Sequence, residues 1–282
     1  MGVVIPTGYV KPYGDRSLMC ARILHSGNWL SGGSVAATST ATGYYADGPL
    51  NSLTYERWKP SSVPAYWIYD HGSAAQCDCA CIGAHTIGTS GATVTLQYFD
   101  GSVWVDVASA TPTDDMPIMF LFEPVTAAVW RLQMTTAVAE VGVAKLGMAM
   151  QMPQPVEAGH QPLNLSRQVQ LRTNRSDTGE TLGRSIQRTM LGTSYQWRNL
   201  EDQWIRDVWR SFQTAIAAEP FFMAWQPEVW SEVALCSVDE LPVPVETGER
   251  TRSRVLQVSD VTDPRVRALF SVEMKVRSHA WD

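Results

Sequence analysis

Three cysteines alternate along one segment of the chain, and a histidine lies on either side of them. Cys77, Cys79 and Cys81 are separated by single residues, with His71 before them and His85 after them. Thiolate and imidazole groups are ligands that zinc prefers, so this cluster is a candidate metal site and a candidate centre for a metal-dependent enzyme. On a straight strand, however, side chains two residues apart lie in one row roughly 6–7 Å apart. Three such ligands do not converge on one ion unless the strand bends.

A structural role explains the same cysteines. Cysteine packs as a small hydrophobic side chain, and free thiols are the norm in a reducing compartment. We therefore expect the three thiols to lie in a core, with metal binding and a redox role as the alternatives. The sequence contains no G-x-S-x-G, P-loop, G-x-G-x-x-G or H-E-x-x-H motif. We expect no enzyme activity, no catalytic residue and no cofactor.

The cysteines belong to a region that reads as short β-strands. Between residues 64 and 107 the segments YWIYD, CDCACI, TVTLQYF and SVWVDV alternate apolar and polar side chains, with glycine-rich turns between them. Such alternation places every second side chain on one face of a sheet. Asp100-Gly101 between two of these segments is a strong hairpin signal. We predict an antiparallel β-sandwich over residues 1–150.

The second half of the chain has a different pattern. Residues 151–162 contain three prolines and a glycine, which predicts a linker. Residues 163–282 are predicted to form a second β domain with one amphipathic helix at about 194–218, capped by Ser194 and ended by Pro220. Its apolar stripe is Trp197, Leu200, Trp204, Val208, Phe212 and Ile216.

Charge and hydropathy exclude two classes of partner. The net charge is −6 and there is no run of basic residues, which argues against nucleic acid. No apolar stretch approaches the roughly 20 residues of a membrane span. The N-terminus shows no secretory signal, so we expect synthesis in the cytoplasm.

The first half resembles galactose-binding-like, discoidin-type sandwiches. The resemblance lies in ARILHSGNWL, LTYERWKPSS, SGATVTLQYFDGSVWVDV and AVWRLQM, which occur in the family's order. It implies a jelly-roll sandwich, in which Trp58 and Trp67 are expected in the core. In sandwiches that bind sugars, exposed aromatic side chains stack on the pyranose face. The candidate glycan contacts are Trp29, Tyr44, Tyr45 and His71.

Both halves also resemble structural proteins of tailed phages. The succession of ATVTLQYFDGSVW, PTDDMPIMFLF and AVWRLQM is similar to sandwich domains of phage tail and virion proteins. The second half, from LGRSIQRTM through the Trp-rich helix to SVEMKVRSHA, resembles the tail-tube and distal-tail fold. In distal tail proteins the ring-forming domain usually comes first, whereas here the order is reversed.

The phage resemblance implies a non-enzymatic structural component of a siphophage-like tail tip or baseplate, located in the virion. Its C-terminal domain would form a homo-oligomeric ring, expected to be a hexamer, with the tail tube and tail hub as neighbours. The alternative is a carbohydrate-binding adsorption module that recognises host surface glycans.

The inter-subunit surface is expected on the helix and on a polar hairpin at residues 172–184. The helix carries apolar side chains beyond a single stripe, which is typical of a helix that packs on its own sheet and also meets a neighbouring subunit. A wide core stripe is the alternative. The candidate inter-subunit residues are Trp204, Trp209, Phe212, Trp225, Arg172, Arg175 and Arg184.

Overall fold

The computed structural model describes residues 2–9, 19–247 and 268–279, and these residues form two compact units. Of these described residues, the first unit takes 2–9, 19–155 and 214–235, and the second takes 156–213, 236–247 and 268–279. The fold is mainly β, as predicted. Residues 214–235 belong to the first unit, whereas the sequence pattern assigned them to the second domain.

The elements follow one another along the chain in this order. The strands are β1 (Val3–Val4), β2 (Arg22–Leu24), β3 (Ser34–Ala37), β4 (Ala65–Gly83), β5 (Thr93–Phe99), β6 (Trp104–Ala110), β7 (Ile118–Thr135), β8 (Val143–Gly147), β9 (Met150–Gln151), β10 (Arg167–Arg175), β11 (Thr181–Glu201), β12 (Phe221–Ala224), β13 (Val233–Ser237), β14 (Val245–Glu246) and β15 (Leu269–His279). The helical segments are α1 (Ile87–Ser90), α2 (Asp202–Trp204), a π-helical turn (Ile205–Trp209) and α3 (Arg210–Ile216), with short 3₁₀ turns at Gly48–Leu50 and Leu163–Leu165.

Two long strands build the sandwich of the first unit. The main sheet has the order β3-β4-β7-β5-β6, with β8 paired to β4 and β1 paired to β7. A straight strand of 19 residues, the length of β4, would measure roughly 60 Å, whereas a unit of this size is on the order of 40 Å across. The strand therefore has to bend. Its register against β7 shifts between Asp70 and Ala75 and again between Cys77 and Cys79.

Because of these bends, both halves of β4 contribute to one core. Trp67 and Tyr69 from its first half pack in the same apolar cluster as Ala80 and Ile82 from its second half. β7 behaves in the same way, since its residues 120, 122, 130 and 132 all belong to that cluster. The two halves thus form the two layers of the sandwich. Trp58 and Trp67 are buried in this core, as predicted.

The register shift after Cys77 also sorts the cysteines between two cores. Cys77 packs in the sandwich core, whereas Cys79 and Cys81 pack in a second cluster with Phe222 and Leu235. This second cluster includes residues of β2 and β12, which pair antiparallel to each other. The expectation that the three thiols pack in a core is confirmed, although they do not share one face.

A buried ion pair lies in the first unit. The Arg22 guanidinium is 2.6 Å from the Asp78 carboxylate, and both residues are buried. Arg22 also donates to the side chain of Gln151 at 3.1 Å, and Asp78 accepts the backbone N–H of Ala149 at 2.7 Å. Burial raises the pKa of Asp78, and the Arg22 charge and these hydrogen bonds oppose that shift. The charged pair is stabilised only while both partners are present.

The second unit is built on the antiparallel order β10-β11-β15. The residues expected to begin the helix, from Ser194 onward, instead continue β11 and pair with β15. The helix begins at Asp202 and ends at Ile216. The predicted start at Ser194 was wrong because Tyr195 and Trp197 alternate into the core at period two, and pairing with β15 stabilises the extended form.

Three of the expected inter-subunit side chains are core residues. Trp209, Phe212 and Trp225 are all buried within the chain. The Trp209 ring lies 4.9 Å from Phe212 and 6.3 Å from Trp197, so it holds the aromatic core of the second unit together. The prediction that these three side chains lie on a surface was wrong. For Trp209 and Phe212, which lie on the helix, the alternative of a wide core stripe is correct. Trp204 is half-buried, 5.9 Å from Trp209.

We expect Asp78→Ala to destabilise the first unit strongly. The substitution leaves the Arg22 guanidinium buried without a counter-charge, which costs about 3–5 kcal/mol of unfolding free energy. Urea denaturation followed by tryptophan fluorescence measures this loss. The double variant Arg22→Met, Asp78→Leu removes both charges and should recover most of the stability. A cost of less than about 1 kcal/mol for Asp78→Ala would contradict the role assigned to the pair.

Candidate functional site

The first unit contains a cavity between the two layers of its sandwich. Its volume is about 230 Å³. The wall is supplied mainly by apolar side chains of the bent strands and of β5, among them Trp67, Tyr69, Ile82, Leu96, Trp130 and Leu132. Trp67 and Tyr69 come from the first half of β4 and Ile82 from its second half, so the bend that closes the core also bounds this space. The arrangement suits an apolar ligand or an apolar part of one.

A loop from Trp29 to Gly33 forms another side of this cavity. Gly33 has φ +80, and a Cβ there would lie 2.4 Å from the carbonyl oxygen of Asp70, so only glycine allows the loop to approach β4 this closely. The Tyr69 hydroxyl donates to the carbonyl of Gly32 at 2.9 Å and lies 3.2 Å from Nδ1 of His71. Two of the four candidate glycan residues, Trp29 and His71, therefore lie at or next to this cavity.

The other two candidate glycan residues lie elsewhere in the same unit. The Tyr44 hydroxyl donates to Glu140 at 2.7 Å, and Glu140 also accepts from Arg57 at 2.8 Å and Lys59 at 3.1 Å. Partial burial raises the pKa of Glu140, but these three hydrogen bonds together outweigh burial, so the pKa of Glu140 is lowered. Tyr44 thus belongs to a polar cluster. Tyr45 is 63% exposed, and neither tyrosine lines the cavity.

Lys145 is a residue of this site that the sequence analysis did not single out. It is 9% exposed, and its ammonium donates to the carbonyl of Leu50 and lies 4.4 Å from the centre of the Trp29 ring. Lys145, Leu50 and Trp29 all line the cavity. Burial lowers the pKa of Lys145 to about 8, although the negative charge of Glu219 opposes this shift. The available signal was a single charged residue inside the apolar run VGVAKLGMAM.

The cysteine and histidine cluster has a structural explanation. Burial raises the pKa of Cys77 to about 12 and raises that of Cys81 as well, so these groups stay thiols. His85 accepts the Ile87 N–H at 3.2 Å and bonds the Met116 carbonyl at 2.8 Å, which satisfies both ring nitrogens of a neutral imidazole. Within residues 2–9, 19–247 and 268–279, no group of three or more histidine, cysteine, aspartate or glutamate side chains is arranged to hold a metal ion.

The second candidate site is an extended hairpin of the second unit. We define the arm as residues 167–189, which are β10 and the part of β11 before Met190. β15 pairs with β11 only from Met190 onward, so β10 is the sole strand paired to the arm portion of β11 among the described residues. Every residue of β10 is exposed, and so are residues 181–188. Arg172, Arg175 and Arg184, three predicted inter-subunit residues, lie on this exposed arm.

One face of the arm is apolar. Leu171 pairs directly with Ile186, and Val169 lies two residues before Leu171 on β10, with a register shift of the hairpin between Gln170 and Leu171. The exposed fractions are 39% for Val169, 41% for Leu171 and 63% for Ile186. Leu182, near the tip, is 68% exposed. The arm therefore presents apolar side chains to solvent, flanked by arginines.

No helix in the described part of the chain is long and apolar enough to cross a membrane.

Comparisons with known proteins concern the sandwich fold. No protein-family model and no curated protein matches the chain. Chitosan-binding module 1 from the chitosanase/glucanase of Paenibacillus sp. IK-5 is 17% identical with a TM-score of 0.37, over 42% of this chain and 97% of that one. The family 32 carbohydrate-binding module of C. perfringens NanJ, in complex with galactose, is 15% identical with a TM-score of 0.37, over 45% and 98%.

We expect the protein to lose stability as the pH falls from about 6.5 to about 4. Burial lowers the pKa of His25 and of His85 from 6.5 to about 4, and Nδ1 of His25 accepts the Gly27 N–H. Because the folded pKa lies below the unfolded one, protonation favours the unfolded chain. The stabilisation is complete above pH 6.5 and is lost on acidification, on the order of 3 kcal/mol at each site.

Denaturation at pH 7 and at pH 4.5 measures this dependence. His85→Asn keeps an acceptor for the Ile87 N–H but cannot be protonated, so its unfolding free energy should fall less between the two pH values than that of the wild type. Equal slopes for the two proteins would show that His85 does not titrate on unfolding.

Proposed function

We propose that this chain is a non-enzymatic structural protein that assembles with copies of itself through the arm. The observation that carries the proposal is that residues 167–175 and 181–188 are exposed throughout. An isolated two-stranded hairpin is marginally stable in water. The arm reaches about 30 Å and exposes Leu171, Leu182 and Ile186 on the way. Such an element gains stability by packing against another molecule.

Charge supports a second copy of the chain as that molecule. The arm carries five arginines and two carboxylates, a net charge of +3, whereas the rest of the chain carries 17 lysines and arginines and 26 carboxylates, a net charge of −9. A basic arm and an acidic remainder attract each other between copies. The contact is head-to-tail, because the arm of one copy meets a different surface of the next. Head-to-tail contacts close into rings when the rotation between copies permits it.

The finer proposal is a ring in the tail tip or baseplate of a siphophage-like virion. It rests on the resemblance of the second half to the tail-tube and distal-tail fold, and the exposed arm supports it as the assembly element. On this proposal the ring has six copies, its neighbours are the tail tube and tail hub, and the first unit decorates the outside.

Light scattering over a range of protein concentrations tests the assembly. The wild type should convert to one discrete oligomer as the concentration rises. Leu171→Lys with Ile186→Glu places two charges on the apolar face of the arm and should remain monomeric at concentrations at least tenfold higher. The melting temperature should be unchanged, since both side chains are exposed and the directly paired opposite charges attract each other across the two strands. Val103→Glu is the matched control, because Val103 is 57% exposed in the first unit; it should assemble normally.

A wild type that stays monomeric at every concentration would contradict self-assembly. An oligomer of unchanged mass in the Leu171→Lys, Ile186→Glu variant would contradict the role of the arm alone. Electron microscopy of the oligomer then gives its symmetry, and an open filament in place of a closed ring would contradict the ring.

A second candidate function is glycan binding by the first unit. The observation that favours it is the set of partly exposed aromatic side chains in its loops: Trp29 is half-buried and Tyr45 is 63% exposed. Aromatic rings in such positions can stack on sugar rings, which leaves the hydroxyl groups free to bond polar neighbours.

A glycan array tests this candidate. Tyr45→Ala should abolish binding if Tyr45 contacts the sugar, whereas Tyr55→Ala, at a tyrosine that is 74% exposed in the same unit, should retain it. A flat response of the wild type to all glycans would contradict the candidate.

A further inference from the structure

The cavity of the first unit is partly open to solvent and large enough for a small ligand. The cavity measures about 230 Å³, and Trp67, Tyr69 and Trp130 supply aromatic wall. A dry apolar cavity of about 150 Å³ already accommodates benzene. The space in this unit is therefore sufficient for one aromatic ring with a short side chain.

The wall contains a buried cation without a carboxylate partner. Among the described residues, no carboxylate lies within 4 Å of the Lys145 ammonium, whose one hydrogen bond goes to the carbonyl of Leu50. An ammonium has three N–H donors, and the Leu50 carbonyl and the face of the Trp29 ring do not supply the negative charge that would balance it. Burying a charge is costly unless it is paired. Lys145 itself and both contacts of its ammonium, Leu50 and Trp29, line the cavity.

The wall also contains a second available donor. The indole N–H of Trp130 is buried and has no hydrogen-bond partner within the described part of the chain, and Trp130 lines the cavity. A buried donor left without an acceptor costs about 1–3 kcal/mol. An acceptor on a ligand would satisfy it. Lys145 and Trp130 thus give two independent reasons to expect an acceptor group in this space.

We propose that the cavity binds a small apolar carboxylic acid, with its hydrocarbon body among Trp67, Tyr69 and Trp130 and its carboxylate accepting hydrogen bonds from Lys145 and the Trp130 indole. The apolar wall disfavours a sugar ring, because several hydroxyl groups would be buried there without partners. A short-chain aryl acid matches the volume and the charge of Lys145. The other cation of the lining, Arg131, already donates to the side chain of Gln97 and lies 4.0 Å from the centre of the Trp104 ring. This binding site is separate from the arm, and it does not depend on the proposed assembly.

Isothermal titration calorimetry of the full chain with 3-phenylpropionate at pH 7 tests the proposal. Binding of the acid should be at least tenfold tighter than binding of the neutral 3-phenylpropanamide, which has the same shape without the charge. Lys145→Met retains a long apolar side chain and should weaken acid binding at least tenfold while leaving amide binding unchanged. Trp130→Phe keeps an aromatic wall and removes the donor, so it should weaken acid binding by a smaller factor.

Nuclear magnetic resonance provides a second readout, measured on the wild type itself, once Trp130→Phe has been shown to keep the other indole signals in place. The indole N–H signal of Trp130, identified by its absence in Trp130→Phe, should shift downfield in the wild type on titration with the acid as it gains an acceptor. A wild type that shows no heat of binding and no indole shift at millimolar acid would overturn the proposal. Equal affinity for acid and amide, or for wild type and a folded Lys145→Met protein, would overturn the role of the charge.

Discussion

The first unit depends on the bends that β4 and β7 share. Because each strand contributes one half to each layer, a one-residue slip of β7 on β4 would turn residues such as Trp67 and Trp130 from the core to the opposite face. The two register shifts in β4 prevent this slip, since each one determines which face of the sheet the following residues of β4 point to. The same bend leaves the cavity between the halves, so the feature that builds the core also provides the candidate binding space.

Much of this architecture is predictable from alternation alone. The period-two segments do form strands, and Asp100-Gly101 lies in the turn between β5 and β6. The bulge after Cys77 was not predictable, because an inserted residue leaves the alternating pattern CDCACI intact and changes only which core each thiol enters. The start of the helix was also beyond prediction. The apolar residues between 194 and 200 fit both the helical period and the two-residue period of a strand. Pairing with β15, about 80 residues later in the chain, makes this segment a strand.

The candidate site residues divide according to what controls their exposure. The exposure of the arm arginines was predictable, because the segment RTNRSDTGETLGR contains only one large apolar residue, Leu182. The tryptophans were harder, since an apolar side chain fits a core and an interface equally well, and neighbours distant in sequence decide between them. Trp209 and Phe212 are buried for this reason. Lys145 escaped notice because its environment comes from Trp29 and Leu50, more than 90 residues earlier in the chain.

The interleaved order of the units has a consequence for synthesis on the ribosome. The first unit takes its last segment from Thr214–Leu235, and the N–H of Gly2 bonds the side chain of Ser231. The N-terminal half therefore cannot complete its second core until residue 235 has left the exit tunnel. During that interval the faces of Cys79 and Cys81 that later meet Phe222 and Leu235 are uncovered. The rate of translation thus determines how long this apolar surface stays exposed and able to aggregate.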